Sequence, residues 1–277
     1  MTLASSSRSY FRVRPKGFMD AIRLFAAFVV SLGLKVAHPS RFRSVGLVTR
    51  GRQNLHVVVD GIEFEVRPRT NDLDLISPKH EPVTTSWFQV RANDVVVDVG
   101  AHIGRYALMA ATNDANVIAV EPDPSNFRLL EKNVRSNGRS NVVLVPEAMT
   151  AKPGKVLLAP APAWNTGISS VRPDPTGELS PSIAAGEISV PGETLDHMVN
   201  AHGLSRIDWL KIDVEGHEIA VLEGGGFALD ITRRLILEVT ERTEEACRRI
   251  LEAHGFGLVA IERGSPASNW LLAKANP

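Results

Sequence analysis

From Asp94 onward, short apolar runs alternate with amphipathic segments, and this rhythm constrains the fold more than any other feature of the chain. Val95–Val99 is a β-branched run that predicts a strand buried on both faces, as in a parallel sheet. Further strands are expected at 117–120, 141–145, 207–212, 235–239, 257–262 and 270–274, with helices at 106–112, 124–136, 194–202, 217–222 and 243–254. Such alternation predicts a doubly wound, mostly parallel α/β sheet with helices on both faces. The last two strands have no long helix between them, so we expect them to be antiparallel neighbours.

The chain divides into three regions. Residues 1–50 are predicted to be a basic N-terminal helical extension, residues 51–92 a β-hairpin with a lead-in helix, and residues 93–277 the main α/β domain. The hairpin is expected because two alternating runs are joined by an Asp-Gly pair at 60–61, which is typical of tight turns. Residues 151–193 interrupt the alternation with a proline- and glycine-rich stretch that is long for a compact domain. We interpret this stretch as an insert, either a functional cover on the acceptor side or a disordered segment.

Charge is distributed unevenly along the chain. The whole chain has 31 basic and 31 acidic residues, so it offers no overall field for nucleic acid, which we do not expect as a partner. Residues 1–50, however, hold nine basic side chains against one acid, Asp20. This region therefore has a net charge of +8, and the remaining 227 residues have a net charge of −8.

An apolar helix is predicted within the basic region, at residues 18–37. Its centre, residues 24–34, carries no charge but is too short for the ~20 residues that span a bilayer. It could be an accessory helix packed on the body, a helix lying on a membrane surface, or an export signal. Export is disfavoured because no small-x-small cleavage site follows. The single cysteine, Cys247, excludes an internal disulfide and permits a reducing compartment, so we expect a cytoplasmic protein with peripheral membrane association through residues 18–37 as the open alternative.

The end of the first parallel strand carries the most informative motif. Gly100 lets the backbone turn sharply towards a ligand, and Gly104 lets the next helix start close to the strand. Asp98 places a carboxylate at the strand end, where doubly wound sheets bind ligands. A leading carboxylate would repel a phosphate but suits an ammonium group. The pattern therefore favours S-adenosylmethionine over NAD or ATP.

An acid also ends the second strand. Glu121 follows Asp98 by 23 residues and can accept hydrogen bonds from both hydroxyls of a ribose. The alternative is a glycine turn with solvated acids, as in response-regulator-like folds, but that arrangement does not require Glu121. Together the two strand ends indicate a site for an unphosphorylated nucleoside.

Several strings of residues resemble the FkbM-type S-adenosylmethionine-dependent methyltransferases. They are Asp98-Val-Gly-Ala-His-Ile-Gly-Arg-Tyr106, Glu121-Pro-Asp-Pro124, Asn126, Asn133, Ala148 and Leu210-Lys-Ile-Asp213-Val-Glu215-Gly-His-Glu218. The likeness covers about two thirds of the chain and implies a seven-stranded Rossmann-like methyltransferase sheet with S-adenosylmethionine as cofactor. It also implies methyl transfer to a hydroxyl oxygen. The family usually has Asn where this chain has His102, which leaves the contact of that side chain open.

The resemblance also implies positions for the cofactor. Asp98, Gly100 and Gly104 would lie at its methionine end and Glu121 at its ribose, while Glu147 and Ala148 would lie near the adenine. The complete set of cofactor-binding candidates is Glu81, Asp98, Gly100, Ala101, His102, Gly104, Tyr106, Glu121, Pro122, Asp123, Asn126, Glu147, Ala148 and Asp213.

Candidate catalytic residues cluster after the fourth strand of the alternating pattern. A hydroxyl acceptor needs a carboxylate or an imidazole to take its proton, and Asp213, Glu215 and His217 are the candidates. Glu218 is interpreted as a first-turn residue that complements the helix dipole. With Glu238 these groups could ligate Mg²⁺, but their spacing matches no strict ligand pattern, so we expect no metal.

Acceptor-binding candidates come from two places. Trp164 and Asn165 in the insert combine an aromatic ring with an amide, and Glu238 is an acid closing an apolar strand. The leading hypothesis is an O-methyltransferase acting on a hydroxyl of a sugar, glycan, lipid-linked glycan or natural product. The alternative is a catalytically inactive methyltransferase fold that serves as a binding or scaffold subunit. An NAD-dependent oxidoreductase would need a G-x-G-x-x-G fingerprint, which is absent after the first strand.

Overall fold

The computed structural model describes residues 12–37, 44–159, 166, 170–173, 187–264 and 266–274. Its strands are β1 Val13–Pro15, β2 Leu55–Val59, β3 Ile62–Val66, β4 Val95–Val99, β5 Asn116–Val120, β6 Val142–Val145, β7 Ala148–Met149, β8 Gly154–Ala159, β9 Ser170–Pro173, β10 Ile188–Glu193, β11 Ile207–Ile212, β12 Thr232–Thr240, β13 Phe256–Glu262 and β14 Ala267–Lys274. Its helices are α1 Phe18–Ala37, α2 Val45–Val48, α3 Asp72–Leu75, α4 Pro82–Trp87, α5 Arg105–Thr112, α6 Pro124–Ser136, α7 Leu195–Ala201, α8 Glu218–Glu223, α9 Gly226–Asp230 and α10 Glu244–Ala253.

A seven-stranded sheet forms the centre of the molecule, in the order β13-β14-β12-β11-β4-β5-β6. Neighbouring strands from β6 to β12 are parallel, whereas β14 runs antiparallel to both β12 and β13. The predicted fold class and the antiparallel pairing of the last two strands are thereby confirmed. Both follow from connection length, because parallel neighbours need a crossover and antiparallel ones do not.

Apolar side chains cover both faces of this sheet. Alternate residues of one strand point to opposite faces, so Val96 joins the core beneath α5 and α6 while Val97 joins the core beneath α7, α8 and α10. On β11, Trp209 and Leu210 divide in the same way. Both Val96 and Val97 have no solvent exposure, which explains why β4 begins as a continuous apolar run.

The predicted hairpin is present as β2 and β3, and β1 pairs with β2 to complete a three-stranded sheet. The turn residues Asp60 and Gly61 have φ values of 51° and 85°, the left-handed geometry that an Asp-Gly turn favours. At the open edge of β3, side-chain amides of α6 take the place of a further strand. Asn133 and Asn137 accept hydrogen bonds from the backbone N–H groups of Glu65 and Glu63 at 2.7 and 2.9 Å. This edge is therefore satisfied and tied to the main domain.

A second small sheet lies in the region where the alternating pattern stops. It has the order β7-β10-β8-β9, with β10 parallel to β7 and antiparallel to β8. None of these four strands is predicted from the sequence. β7 and β9 are only two and four residues long, and Pro191 lies within β10. The acceptor-side role of residues 151–193 and the three-region division remain predictions. Among the described residues, none of the helices meets the length and hydropathy needed to cross a membrane.

Candidate active site

A cleft of about 760 Å³ opens at the carboxyl ends of β4, β5 and β11. The chain leaves β4 towards β5 on one side, and β11 lies on the other, so this is the topological switch point of the sheet. Most of the predicted cofactor residues line it, namely Glu81, Asp98, Gly100, Ala101, His102, Tyr106, Glu121, Pro122, Asn126, Glu147, Ala148 and Asp213. The predicted catalytic residues Glu215 and His217 and the acceptor candidate Glu238 line it too. Trp164 and Asn165 lie outside the described residues.

The turn after β4 depends on two glycines. Gly100 has a φ of +85°, and a Cβ there would lie 1.8 Å from the carbonyl oxygen of Asp213. Only glycine therefore allows β4 and β11 to approach each other at the cleft floor. Gly104 has a φ of +99°, and a Cβ would lie 2.8 Å from the Leu130 side chain. Gly104 does not line the cleft, so its role is to let α5 pack close to α6.

Asp98 is a buried carboxylate without a neutralising hydrogen bond. It is 1% exposed, and neither carboxylate oxygen has a hydrogen-bond partner among the described residues. Burial raises the pKa of Asp98 to about 6, although the nearby Lys211 ammonium opposes the rise. A buried acid in this state gains free energy when a cation with donor hydrogens approaches it. The α-ammonium group of S-adenosylmethionine fits that requirement.

Glu121 is buried as well, but its orientation is fixed by the backbone. One oxygen accepts a hydrogen bond from the N–H of Asp123 at 2.9 Å, and the other accepts one from the N–H of His102 at 2.8 Å. Burial raises the pKa of Glu121 to about 7. Its remaining lone pairs can receive ribose hydroxyls. Asp123 does not line the cleft; its side chain caps α6 by accepting from the N–H of Ser125 at 2.7 Å.

The His102 side chain belongs to a polar network on the adenosine side of the cleft. Its Nε2 lies 3.1 Å from the Thr166 hydroxyl, and that hydroxyl donates to Asp72 at 2.6 Å. Arg67 holds Asp72 through two contacts of 2.8 Å and also donates to Asn126 at 2.8 Å. Burial lowers the pKa of His102 to about 4, so the ring is neutral at physiological pH. This network joins the hairpin region, the glycine turn and the 151–193 segment.

A cluster of carboxyl groups forms the wall at the ends of β11 and β12. Oxygen atoms of Asp213, Glu215 and Glu238 lie within 4.8 Å of one another, close enough to share a cation. The Lys211 ammonium, 3% exposed, already lies 2.7 Å from Asp213 and 4.7 Å from the Tyr106 ring centroid. This fixed cation neutralises part of the cluster, so charge balance does not require a metal.

The three carboxyl groups differ in protonation. Burial opposes ionisation of Asp213, but Lys211 outweighs it and holds the pKa of Asp213 below its usual value. The Asp213 charge and burial together raise the pKa of Glu238 to about 10, so Glu238 is protonated and donates a hydrogen bond to Asp213. Burial, with Asp213 and Glu218 nearby, raises the pKa of Glu215 to about 7. The site therefore offers an ionised, a neutral and a titrating carboxyl group.

Two further residues, Glu81 and His217, complete this wall. Glu81 accepts from the Tyr106 hydroxyl at 3.0 Å and from the Asn269 amide at 3.1 Å, so both its oxygens are engaged. His217 Nε2 is buried and has no hydrogen-bond partner among the described residues, and burial lowers its pKa. Glu218, by contrast, is the first residue of α8 and does not line the cleft, in agreement with its interpretation as a helix-start residue.

Three residues of the cleft have a strained backbone conformation. Seven non-glycine residues in the described ranges have a positive φ, and three of these, Glu81, His102 and Glu215, line the cleft with φ values of 46°, 51° and 50°. Left-handed geometry is unfavourable for these residues and persists where the surrounding structure imposes it. All three carry titratable side chains that were candidates from the sequence.

Six charged or titratable residues of the cleft were not among the candidates from the sequence: Asp74, His80, Arg105, Lys211, Glu262 and Arg263. Lys211 had a detectable signal, since it is the basic residue of a six-residue strand that is buried throughout. Arg105 is 9% exposed and donates to the carbonyl of His80 at 2.7 Å, which positions the loop before α4. Nothing in the local pattern around His80 or Arg263 indicated their place in the cleft.

The sheet order and the acid-lined crevice at its switch point match the class of protein expected from the sequence, the methyltransferases that use S-adenosylmethionine. The family model of the methyltransferase FkbM domain matches residues 98–258, more than half of the chain, and the chain belongs to this family. The resemblance found in the sequence is thus confirmed.

Two of the individual relatives share 30% or less of their residues with this chain over the aligned part. Hexuronic acid methyltransferase AglP of Haloferax volcanii is 30% identical over 152 residues, which cover 54% of this chain and 58% of AglP. Methyltransferase 1 of Beauveria bassiana is 25% identical over 185 residues, which cover 61% of this chain and 74% of that protein. Among solved structures, precorrin-6y C5,15-methyltransferase from Geobacter metallireducens aligns over 71% of this chain and 88% of its own, with 14% identity and a TM-score of 0.43.

Proposed function

We propose that this methyltransferase transfers a methyl group to a hydroxyl oxygen of a sugar or another polyhydroxylated acceptor, free, in a glycan, lipid-linked or in a natural product. The observation that carries the proposal is the carboxyl cluster of Asp213, Glu215 and Glu238, whose oxygen atoms lie within 4.8 Å of one another beside Lys211. A hydroxyl must lose a proton as its oxygen gains a methyl group, whereas a neutral amine can attack without a base. The name of the relative AglP, a hexuronic acid methyltransferase, supports a sugar-type acceptor.

One group of residues would bind the cofactor. When bound, S-adenosylmethionine supplies an electrophilic methyl group on a positively charged sulfur. Asp98 would hold its ammonium group and Glu121 its ribose hydroxyls, with Glu147 and Ala148 on the adenine side. These roles match the buried, unpartnered carboxylate of Asp98 and the fixed orientation of Glu121.

The carboxyl cluster at the ends of β11 and β12 would bind the acceptor hydroxyl and take its proton. Because Lys211 keeps Asp213 ionised, Asp213 can accept a hydrogen bond from the acceptor hydroxyl and orient it. Glu215 can take the hydroxyl proton, since its pKa of about 7 suits a general base at neutral pH. His217, neutral and with an unpartnered Nε2, is the competing base. The proton then passes to solvent. An inactive scaffold is not favoured, because such a subunit has no use for this cluster.

Methyl transfer from radiolabelled S-adenosylmethionine to a panel of neutral hexoses, uronic acids and amino sugars tests the proposal. We expect a methyl label that survives mild alkali, as an ether does. A label released by alkali would place the methyl group on a carboxylate, and a label on an amine nitrogen would equally overturn the proposal.

The base is assigned with two variants. Glu215→Gln should lower kcat about 100-fold and remove the rise in rate as the pH increases through about 7, with KM for the cofactor unchanged. His217→Gln should leave that pH limb in place. If His217→Gln removes the limb and Glu215→Gln keeps it, His217 is the base.

A further inference from the structure

Helix α1 is apolar on two opposite sides. One side packs on the body, where Ala27 and Ser31 are buried and Leu24 and Phe28 contact the core. The other side presents an exposed stripe to solvent, consisting of Phe18, Ile22, Phe25, Val29, Leu32 and Val36. These residues recur at intervals of three and four, which places them on one face of a helix. Phe18 is 80% exposed, Phe25 70% and Val36 69%, so this is a continuous apolar surface in water.

The orientation of α1 is fixed by its polar residues, which hold the exposed stripe outward. Arg23 donates to the carbonyl oxygens of Arg50 and Gln53 at 3.0 and 2.6 Å. Asp20 accepts from the backbone N–H of His56 at 3.2 Å and lies 3.4 Å from Arg23. Both charged side chains of the first turns are therefore used to fasten the helix to the start of β2. The stripe itself contains no charged residue.

Charge indicates what covers this surface. The first 50 residues carry nine basic side chains and one acidic side chain. Arg12, Arg14 and Lys16 are exposed directly before α1; Arg12 and Lys16 also form solvent-exposed ion pairs with Asp60 and Glu63. If the same stripe of a second copy covered it, two regions of like charge would be brought together, which is unfavourable. An anionic lipid surface instead attracts the basic residues and accepts apolar side chains at the headgroup boundary.

The helix is also connected to the cleft through short elements. α1 packs on α2, and α2 packs on α3. Ser44, which precedes α2, hydrogen-bonds to Asp74 of α3. Asp74, Leu75 and the preceding Asn71 line the cleft. Only the short helices α2 and α3 therefore separate α1, and any surface bound to it, from the cleft.

We propose that the exposed stripe of α1 and its basic flank dock the protein on the anionic surface of a lipid bilayer, with the helix lying in the interface. The inference is independent of the chemistry proposed for the cleft. It rests on an apolar face fixed outward and on the exposed basic residues directly before the helix.

Co-sedimentation with vesicles tests the proposal on the full chain. The probes are phosphatidylcholine vesicles with and without about one third phosphatidylglycerol, at ~0.05 and ~0.5 M NaCl. We expect binding to the anionic vesicles at low salt and about tenfold weaker binding at high salt or without phosphatidylglycerol. Equal recovery in the supernatant with all vesicles overturns the proposal.

Matched variants assign the binding to the stripe. Phe25→Glu with Val29→Glu should lower the vesicle affinity about tenfold or more, because it places two charges on the docking face. The control, Val143→Glu with Val259→Glu, changes two exposed apolar residues of the main sheet and should bind like the wild type. Cofactor affinity and thermal unfolding confirm that each variant is folded. If the stripe variant instead abolishes a dimer detected by light scattering without lipid, a second copy covers α1 and the proposal fails.

Discussion

The two walls of the cleft are built in different ways. On the cofactor side, β4 ends in a glycine turn, and the N–H groups of His102 in that turn and of Asp123 after β5 fix Glu121, so backbone geometry sets the positions of the acids. On the acceptor side, Lys211 forms an ion pair with Asp213. The three carboxyl groups of Asp213, Glu215 and Glu238 can lie close together because their pKa values differ. The first wall depends on steric fit and the second on charge balance. Variants that disturb one of these properties should therefore damage one wall selectively, except where both walls meet.

Gly100 is the point where both walls meet, so its substitution should have the largest effect. In Gly100→Ala the new Cβ would lie 1.8 Å from the Asp213 carbonyl oxygen, forcing β4 and β11 apart. We expect loss of measurable cofactor binding and a decrease of more than about 3 kcal/mol in the free energy of unfolding. Urea unfolding and calorimetry measure both.

Gly61→Ala is the matched control for Gly100→Ala. Gly61 has the same φ of +85° but nothing within 4 Å of an added Cβ. Gly61→Ala should lower the free energy of unfolding only by the cost of left-handed geometry, about 1–2 kcal/mol, and should bind the cofactor normally. Equal losses in the two variants would mean that backbone conformation, and not contact with Asp213, determines the requirement for glycine at position 100.

Lys211→Met should break the charge-balanced wall. Removing this buried cation leaves Asp213 and Asp98 unpaired, which we expect to cost about 3–5 kcal/mol of stability at pH 8. The loss should shrink as the pH falls from 8 towards about 6, because without Lys211 the pKa of Asp98 lies higher still, and protonation of Asp98 removes part of the unpaired charge. Lys132→Met removes an ion pair of similar length, 2.9 Å, from a side chain that is 45% exposed, and should cost less than about 1 kcal/mol. A pH-independent loss in Lys211→Met would show that lost packing on Tyr106 dominates.

The difference between the walls also explains what the sequence could predict. The glycine turn is local, because a β-branched strand, an acid and two glycines within ten residues determine the strand end and its ligand-facing carboxylate. The fold class followed from the same alternation. The roles of the individual site residues stay predictions.

Non-local contacts account for what was missed. Lys211 reads as one basic residue in an apolar strand, and only the register that pairs it with Asp98 on β4 shows which acids it neutralises. The Arg67–Asp72 pair approaches His102 from 35 and 30 residues earlier in the chain. The strands β7 to β10 pair across gaps that a local pattern cannot indicate, and Pro191 obscures one of them. Charge networks and short strands are thus determined by tertiary register more than by local propensity.

Asp98→Asn sharpens the comparison within the cofactor wall. The raised pKa of Asp98, about 6 against an ordinary 3.8, means that the cofactor-free fold loses stability as this group ionises. The Asn variant should therefore be more stable than wild type by up to about 3 kcal/mol above pH 6, with the gain vanishing towards pH 4. Its affinity for S-adenosylmethionine should nevertheless fall about 10- to 150-fold, because a charge-assisted hydrogen bond is lost. Glu131→Gln, exposed on α6, serves as the control and should change neither property. Unchanged affinity in Asp98→Asn would remove Asp98 from the cofactor site.

His102→Asn should have the smallest effect, because His102 contributes to the cofactor wall through its backbone. Its N–H donates to Glu121 at 2.8 Å whatever side chain follows, and asparagine tolerates a φ of 51°. Thr166, the partner of the ring, keeps its bonds to Asp72 at 2.6 Å and to Asn71 at 2.8 Å. The ring is also neutral above its pKa of about 4, so no charge is removed at pH 7. We expect the cofactor dissociation constant to change less than about threefold and to keep its pH dependence between pH 6 and 8. His102→Val should be worse, because a β-branched residue is strained at positive φ and would disturb the N–H that orients Glu121. If asparagine weakens binding tenfold while valine does no further harm, the imidazole itself contacts the cofactor, and this wall depends on side chains as the other one does.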